Sequence, residues 1–374
     1  MPAATTTAPA PGGSAHPSPS LAFPEGTYEY TEVLDTNVLQ ITANTVERVI
    51  NITPGGFLRG VSLYVSSASG VLGPGVLQGD MPWCVIYSAT IESIDGTSIK
   101  YPMGGYAIYL EQKFMRPWDG DPATDAVFTN SVNPAFRIRF FIESRATLGV
   151  VPNTDARAQY RLRYTVNNVA NTFSTAPTTA PTLTIVTCSE IYAQPPATSL
   201  MGAPIQQVPD GVGVQRFTSH QVDVTSSANS TLKLNRVGNL IRTLILVFRD
   251  ATANQVRTDL TTDPIRWRID NTQLLYEQRT RRDYEMNRFW SQYRMSTAPA
   301  TATVPVIANV RPTGVYVFPR WHDPGSMTGQ WWLETTEATF VQWEFTGAVA
   351  SGTVEQIVED LAPAGPVPAY LNGI

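Results

Sequence analysis

Apolar and polar residues alternate with a period of two at four places along the chain. They are Phe136-Arg137-Ile138-Arg139-Phe140, Tyr160-Arg161-Leu162-Arg163-Tyr164, Ile265-Arg266-Trp267-Arg268-Ile269 and Val341-Gln342-Trp343-Glu344-Phe345. A period of two predicts strands with one face on a core and the other turned outward. Turn clusters such as Thr53-Pro54-Gly55-Gly56, Gly73-Pro74-Gly75 and Asp323-Pro324-Gly325 separate these runs. The 26 Gly and 29 Pro are spread along the chain, which fits many short strands joined by tight turns. Helical spacing is sparse. The strongest stretch runs from Thr272 to Arg294, where Leu275, Tyr276, Arg279, Arg282, Met286, Phe289, Trp290 and Tyr293 form a mixed apolar and basic stripe. A shorter segment, Tyr106–Met115, occupies the same place in the first half.

Two echoes tie the halves together. Phe57-Leu58-Arg59-Gly60-Val61-Ser62-Leu63-Tyr64-Val65 aligns with Leu240-Ile241-Arg242-Thr243-Leu244-Ile245-Leu246-Val247-Phe248, each with Arg at the third position. Downstream, Tyr109-Leu110-Glu111-Gln112-Lys113 aligns with Leu275-Tyr276-Glu277-Gln278-Arg279. Two echoes in the same order, at separations of 183 and 166 residues, predict two copies of one strand-rich unit of roughly 170–180 residues. Pro195-Pro196 to Pro204 marks the boundary, just after the strand-like run Leu183–Cys188. The expected layout is a flexible arm over 1–27, one unit over 28–197, a second over 198–361 and a tail over 362–374.

Composition narrows what such a chain does. Hydrophobic residues make up 43% of 374, enough for two cores, but only 15% are charged, against about 25% in ordinary soluble domains. A weakly charged surface suits a protein packed against neighbours. The net charge of −5 offers no global trap for nucleic acid. Residues 1–24 are rich in Pro, Ala, Thr, Ser and Gly and contain no Lys or Arg, so they read as a tether rather than a genome-binding arm. The first twenty residues lack the basic start and apolar core of a secretory signal, and no apolar run approaches the ~18 residues of a membrane span.

Candidate chemistry is thin. The histidines are His16, His220 and His322, and none stands in a catalytic motif. Cys84 and Cys188 sit in apolar strand-like runs and read as buried free thiols. A single disulfide is the alternative, and spacing does not decide it. No cysteine–histidine cluster predicts zinc. Trp118-Asp119-Gly120-Asp121-Pro122 has the acidity of a calcium loop, but Pro122 interrupts it, so an Asx turn is expected. Trp267 and Trp343 occupy core-like strand positions. Arg279, Arg281, Arg282, Arg288 and Arg294, with Trp331 and Trp332, are the candidate interface residues. The plainer reading of the arginines is a salt-bridged helix face, given Asp283 and Glu285 among them. No catalytic, cofactor or metal site is assigned.

The duplicated Arg-bearing strand, the Glu-Gln-Lys/Arg echo and the low-charge, Pro-flanked β composition together resemble the double jelly-roll major capsid proteins of tailless icosahedral double-stranded DNA viruses, tectiviruses among them. The resemblance covers roughly Tyr28–Leu361 and rests on architecture rather than on a short motif. It implies an all-β fold of two tandem jelly-roll β-sandwiches, each with one inserted helix near the base of the shell. It implies a non-enzymatic coat protein without cofactors, in the virion after synthesis in the host cytoplasm. Its implied partners are two further copies in a pseudo-hexagonal homotrimer, lattice neighbours, penton and minor capsid proteins, and an internal lipid membrane. Sequence-specific nucleic-acid binding is not implied. Two other classes compete. A phage spike, fibre or carbohydrate-binding sandwich would display an exposed aromatic platform, and a β-sandwich hydrolase would need two carboxylates meeting in a cleft.

Overall fold

In a computed structural model, the described residues are 20–116, 120–128, 132–144, 147–209, 214–224, 229–234, 237–250, 256–258, 265–277, 313–320, 332–346 and 352–363. The first half contributes eight principal strands: β1 (Glu29–Gln40), β2 (Val46–Asn51), β3 (Phe57–Ala68), β4 (Ile86–Glu92), β5 (Ser98–Met103), β6 (Pro134–Phe141), β7 (Arg161–Val166) and β8 (Thr182–Tyr192). They pair as two antiparallel sheets, β1-β8-β3-β6 and β2-β7-β4-β5. The second half repeats this with β9 (Val214–Val224), β10 (Asn229–Lys233), β11 (Leu240–Arg249), β12 (Ile265–Ile269), β13 (Thr272–Glu277), β14 (Val315–Pro319), β15 (Val341–Thr346) and β16 (Thr353–Pro363). Its sheets are β9-β16-β11-β14 and β10-β15-β12-β13. The first, eighth, third and sixth strands share one sheet and the second, seventh, fourth and fifth the other, which is jelly-roll order, and it occurs twice.

The alternating runs fold as their pattern predicts. In β6, Phe136, Ile138 and Phe140 are buried while Arg137 and Arg139 are only half-buried. Leu162 and Tyr164 do the same in β7. Trp267 and Trp343 stack with ring centroids 4.5 Å apart, and Phe318 lies 4.4 Å from Trp343, so the second core is built on aromatic rings. Such rings bury large apolar areas and favour offset or tilted contacts.

The repeated Arg run is structural. β3 and β11 are the same strand of each roll, and Arg59 and Arg242 are each the extra residue of a β-bulge. Against β8, Gly60 faces Glu190 and Leu58 faces Ile191, leaving Arg59 unmatched. Against β16, Thr243 faces Glu359 and Ile241 faces Asp360, leaving Arg242 unmatched. The second echo is not structural. Tyr109–Lys113 lies in helix α1 (Gly105–Met115), whereas Leu275–Glu277 ends strand β13. The helix expected from Thr272 is therefore corrected over Thr272–Glu277, which pairs with β12 through a two-residue turn at Asp270-Asn271. Asp270 has φ 47°, a conformation Asp tolerates, and its carboxylate accepts from the Thr339 and Phe340 amides. Residues 278–294 of that expected helix lie outside the described residues.

The rolls share a core. Ile245, Val247, Val315, Val317 and Ile357 of the second roll join the same apolar cluster as α1 of the first. Every residue of α1 is buried, so this helix is enclosed by the chain and offers no free face at a base. Within the segment expected as an arm, Phe23–Gly26 forms a short helix, and Phe23 is fully buried against Phe57 and Tyr192. Leu21 bridges to Ile205, which ties this segment to the connection between the rolls.

Candidate functional site

Buried charge lies in and beside the junction of the two rolls, and most of it is paired in ion pairs. In α1, Glu111 pairs with Lys100 of β5 at 2.7 Å, and the Lys100 ammonium also donates to the Phe141 carbonyl at 2.6 Å. Lys113 pairs with Asp121 at 3.0 Å. Asp121 also caps the short 3-10 turn Pro122–Asp125 by accepting from the Ala123 amide at 3.0 Å, so the acidic run is an Asx-capped turn there. The Glu-Gln-Lys run thus supplies the polar ties that let a helix lie wholly inside the molecule.

The two bulge arginines sit in unlike surroundings. Arg59 contacts Glu143 at 2.8 Å and Glu29 at 2.5 Å, and lies over the Tyr192 ring at 4.7 Å. Burial by itself would lower its pKa, but Glu143, Tyr192 and Glu29 outweigh burial and raise it, so it stays charged. Burial raises the Tyr192 hydroxyl, and the Glu143 carboxylate raises it further while Arg59 opposes. Arg242 is fully buried, touches both Glu359 oxygens at 3.0–3.1 Å and donates to the Met115 carbonyl at the end of α1. One arginine therefore ties strands within its own sheet, and the other links the second roll to the first through the Met115 carbonyl.

A cleft of about 720 Å³ opens between the rolls, lined among others by Asp80, Cys84, Tyr106, Asn167, Arg249 and Glu355. Its charges pair with one another. Arg249 contacts Asp80 at 2.5 Å and Glu355 at 3.2 Å, and Arg257 reaches Asp80 at 2.7 Å. Both arginines lie over the Tyr106 ring, at 5.5 and 4.9 Å. Burial pushes the Cys84 thiol well up, Asp80 adds to this and Arg249 opposes it, so the thiolate a nucleophile needs is disfavoured. Among the described residues, no group of three or more His, Cys, Asp or Glu is arranged to hold a metal. Both cysteines are free.

The candidate interface residues Arg279, Arg281, Arg282, Arg288, Arg294 and Trp331 lie outside the described residues, as does His322. Trp332 is half-buried beside the two-residue strand Leu333–Glu334, which pairs with the start of β11. An exposed apolar patch that sequence reasoning missed lies on part of the outer face of β1-β8-β3-β6. It carries Val33, Val38 and Tyr64, respectively 62%, 67% and 38% exposed. The sequence hides it, because Val33 and Val38 are apolar at outward positions where an open sheet face would ordinarily carry polar residues.

No family model and no curated protein matches this chain. Solved structures do. The major capsid protein P2 of bacteriophage PM2 superposes with a TM-score of 0.52 at 11% identity, covering 91% of this chain and 99% of that one. The major capsid protein of Sulfolobus turreted icosahedral virus gives 0.58 at 11% identity, covering 93% and 100%. The PBCV-1 protein VP54 gives 0.56 at 11% identity, covering 90% and 94%. With jelly-roll strand order in both halves and near-complete mutual coverage, the chain has the double jelly-roll fold of these viral capsid proteins.

Proposed function

We propose that this chain is a viral major capsid protein whose work is self-assembly into an icosahedral shell. The observation that carries this reading is the complete pair of jelly rolls fused through a shared core, spanning nearly the whole length of structurally similar capsid proteins. A capsid subunit needs a stiff body that repeats one set of contacts. The Arg242–Glu359 lock, the Asp80–Arg249–Glu355 tie and the enclosed α1 provide that stiffness.

In the finer form of the proposal, three chains associate so that six rolls form a pseudo-hexagonal capsomer in the virion. Penton and minor proteins and an internal membrane are the neighbours this arrangement would meet, after synthesis in the host cytoplasm. The role is structural rather than enzymatic. The layout of arm, two rolls and tail over 1–27, 28–197, 198–361 and 362–374 belongs to the same proposal. Its division between the rolls is supported by β8 ending at Tyr192 and β9 starting at Val214, while Phe23–Gly26 and the end of β16 at Pro363 belong to the folded body. Light scattering of the purified protein tests it. A solution mass near three times 40.9 kDa is expected, and a monomer that never assembles under any salt or crowding condition contradicts it.

A further inference from the structure

Self-assembly does not account for the cleft between the rolls. Its volume of about 720 Å³ is that of a small-molecule site. It lies at the end of the sheets away from Glu29 and Pro363. β11 runs from Leu240, opposite Leu361, to Arg249, opposite Thr353, and both Arg249 and Thr353 line the cleft. Its charges cancel, because Asp80 and Glu355 are met by Arg249 and Arg257. A charged ligand would have to break one of these pairs and strand the group left behind. A neutral ligand would not.

The cleft offers such a ligand one open aromatic ring and several uncharged polar groups. Against β7, Ser88 faces Thr165 and Ile86 faces Val166, so Tyr87 of β4 is the extra residue of a β-bulge. A bulge re-aims a side chain out of the alternation of its sheet. Tyr87 lines the cleft and is 57% exposed, which leaves an apolar ring uncovered at the mouth of a cavity. Tyr106 of α1 also lines it and is 7% exposed, and its buried hydroxyl has no hydrogen-bond partner. The hydroxyl of Thr353, at the start of β16, is buried and unpartnered in the same way. Buried polar atoms are nearly always hydrogen-bonded. Two such hydroxyls in one cleft, one from each roll, are therefore served by water or by the hydroxyls of a ligand that displaces it. Asn167 and Asn171 complete the polar lining, tied to each other at 3.2 Å, and Asn167 donates to the Cys84 carbonyl at 3.0 Å.

A pyranose presents both kinds of surface without a charge. The C–H bonds of one ring face pack flat on an aromatic ring, and the hydroxyls around its edge exchange hydrogen bonds with protein groups in place of water. We propose that the inter-roll cleft is a binding site for a neutral saccharide, with Tyr87 as its stacking platform and Tyr106 and Thr353 as hydroxyl partners from the two rolls. The inference goes beyond the self-assembly reading and does not depend on it, since one chain supplies the whole site.

Saturation-transfer NMR of the purified full-length protein tests it, with glucose, galactose, mannose and N-acetylglucosamine as ligands and sialic acid as the charged comparison. At least one neutral sugar is expected to bind, with the strongest transfer to its ring C–H protons. Tyr87→Ala should weaken that binding about tenfold or more, while Tyr87→Phe keeps the ring and retains it. Thr353→Val, similar in shape but without the hydroxyl, should weaken it several-fold. Tyr28→Ala, which removes an exposed tyrosine at the other end of the sheets, should leave it unchanged. No binding by any of the four neutral sugars overturns the proposal. Binding of sialic acid alone overturns the ligand class. Binding that survives Tyr87→Ala, or that Tyr28→Ala abolishes equally, overturns the site. The solution mass of each variant is expected to equal the parent's, so failure of the sugar site leaves the capsid reading standing.

Discussion

Arg59 and Arg242 stand at the same place in two similar strands, yet only the second is sealed from water, and the difference decides what each substitution does. Removing the Arg242 guanidinium leaves the Glu359 carboxylate buried without its cation. That costs about 3–5 kcal/mol. Arg242→Met should therefore lower the denaturation midpoint sharply, and Arg242→Met/Glu359→Leu should recover most of the loss, because the uncompensated charge goes with its partner. Chemical denaturation measures both, and a single variant within about 1 kcal/mol of the parent contradicts the lock. The cysteines give a second check at this scale. Burial raises both thiols, with Asp80 adding to the effect at Cys84 and Glu190 at Cys188. At pH 8 the native protein should take up alkylating reagent slowly, and both thiols should react once it is unfolded. Mass spectrometry reads the count, and rapid labelling of the native chain would contradict the burial.

At the scale of elements, the residue after the bulge arginine of the first roll is Gly because its strand comes close to a neighbour there. A Cβ at Gly60 would lie 2.5 Å from the Phe141 Cα across the β3–β6 pair, so Gly60→Ala must push two backbones apart. A loss of about 1–3 kcal/mol in unfolding free energy is expected, and an unchanged melting temperature would show that the strands do not approach so closely. The period-two runs in β6, β7, β12 and β15 were legible in the sequence because each has one face on a core and one toward polar surroundings. The strand β11 was legible only through its likeness to β3, because both of its faces are buried and its alternation is lost. The strand β13 was misread as helix. Its six residues have little periodicity of their own, and its identity is set by the Asp270-Asn271 turn and by pairing with β12. That turn was a readable signal that the apolar stripe further along obscured. The Glu-Gln-Lys echo misled for a related reason. Glu111, Gln112 and Lys113 serve contacts particular to a buried helix, to Lys100, to the Arg139 carbonyl and to Asp121, and such contacts leave no periodic trace.

For the whole molecule, the duplication and the shared core have opposite effects. Duplication makes two similar rolls, while the shared core makes them unequal, because the second roll's outer sheet face is spent on the first. None of this was legible in composition, since low charge says only that surfaces meet, and which surfaces meet depends on the fold. Images of the purified assembly viewed down its symmetry axis test the central claim most directly. Six lobes of similar size, arranged with true threefold symmetry, are the predicted outline. A three-lobed particle with the rolls stacked along the axis, or a particle with twofold symmetry, would contradict it.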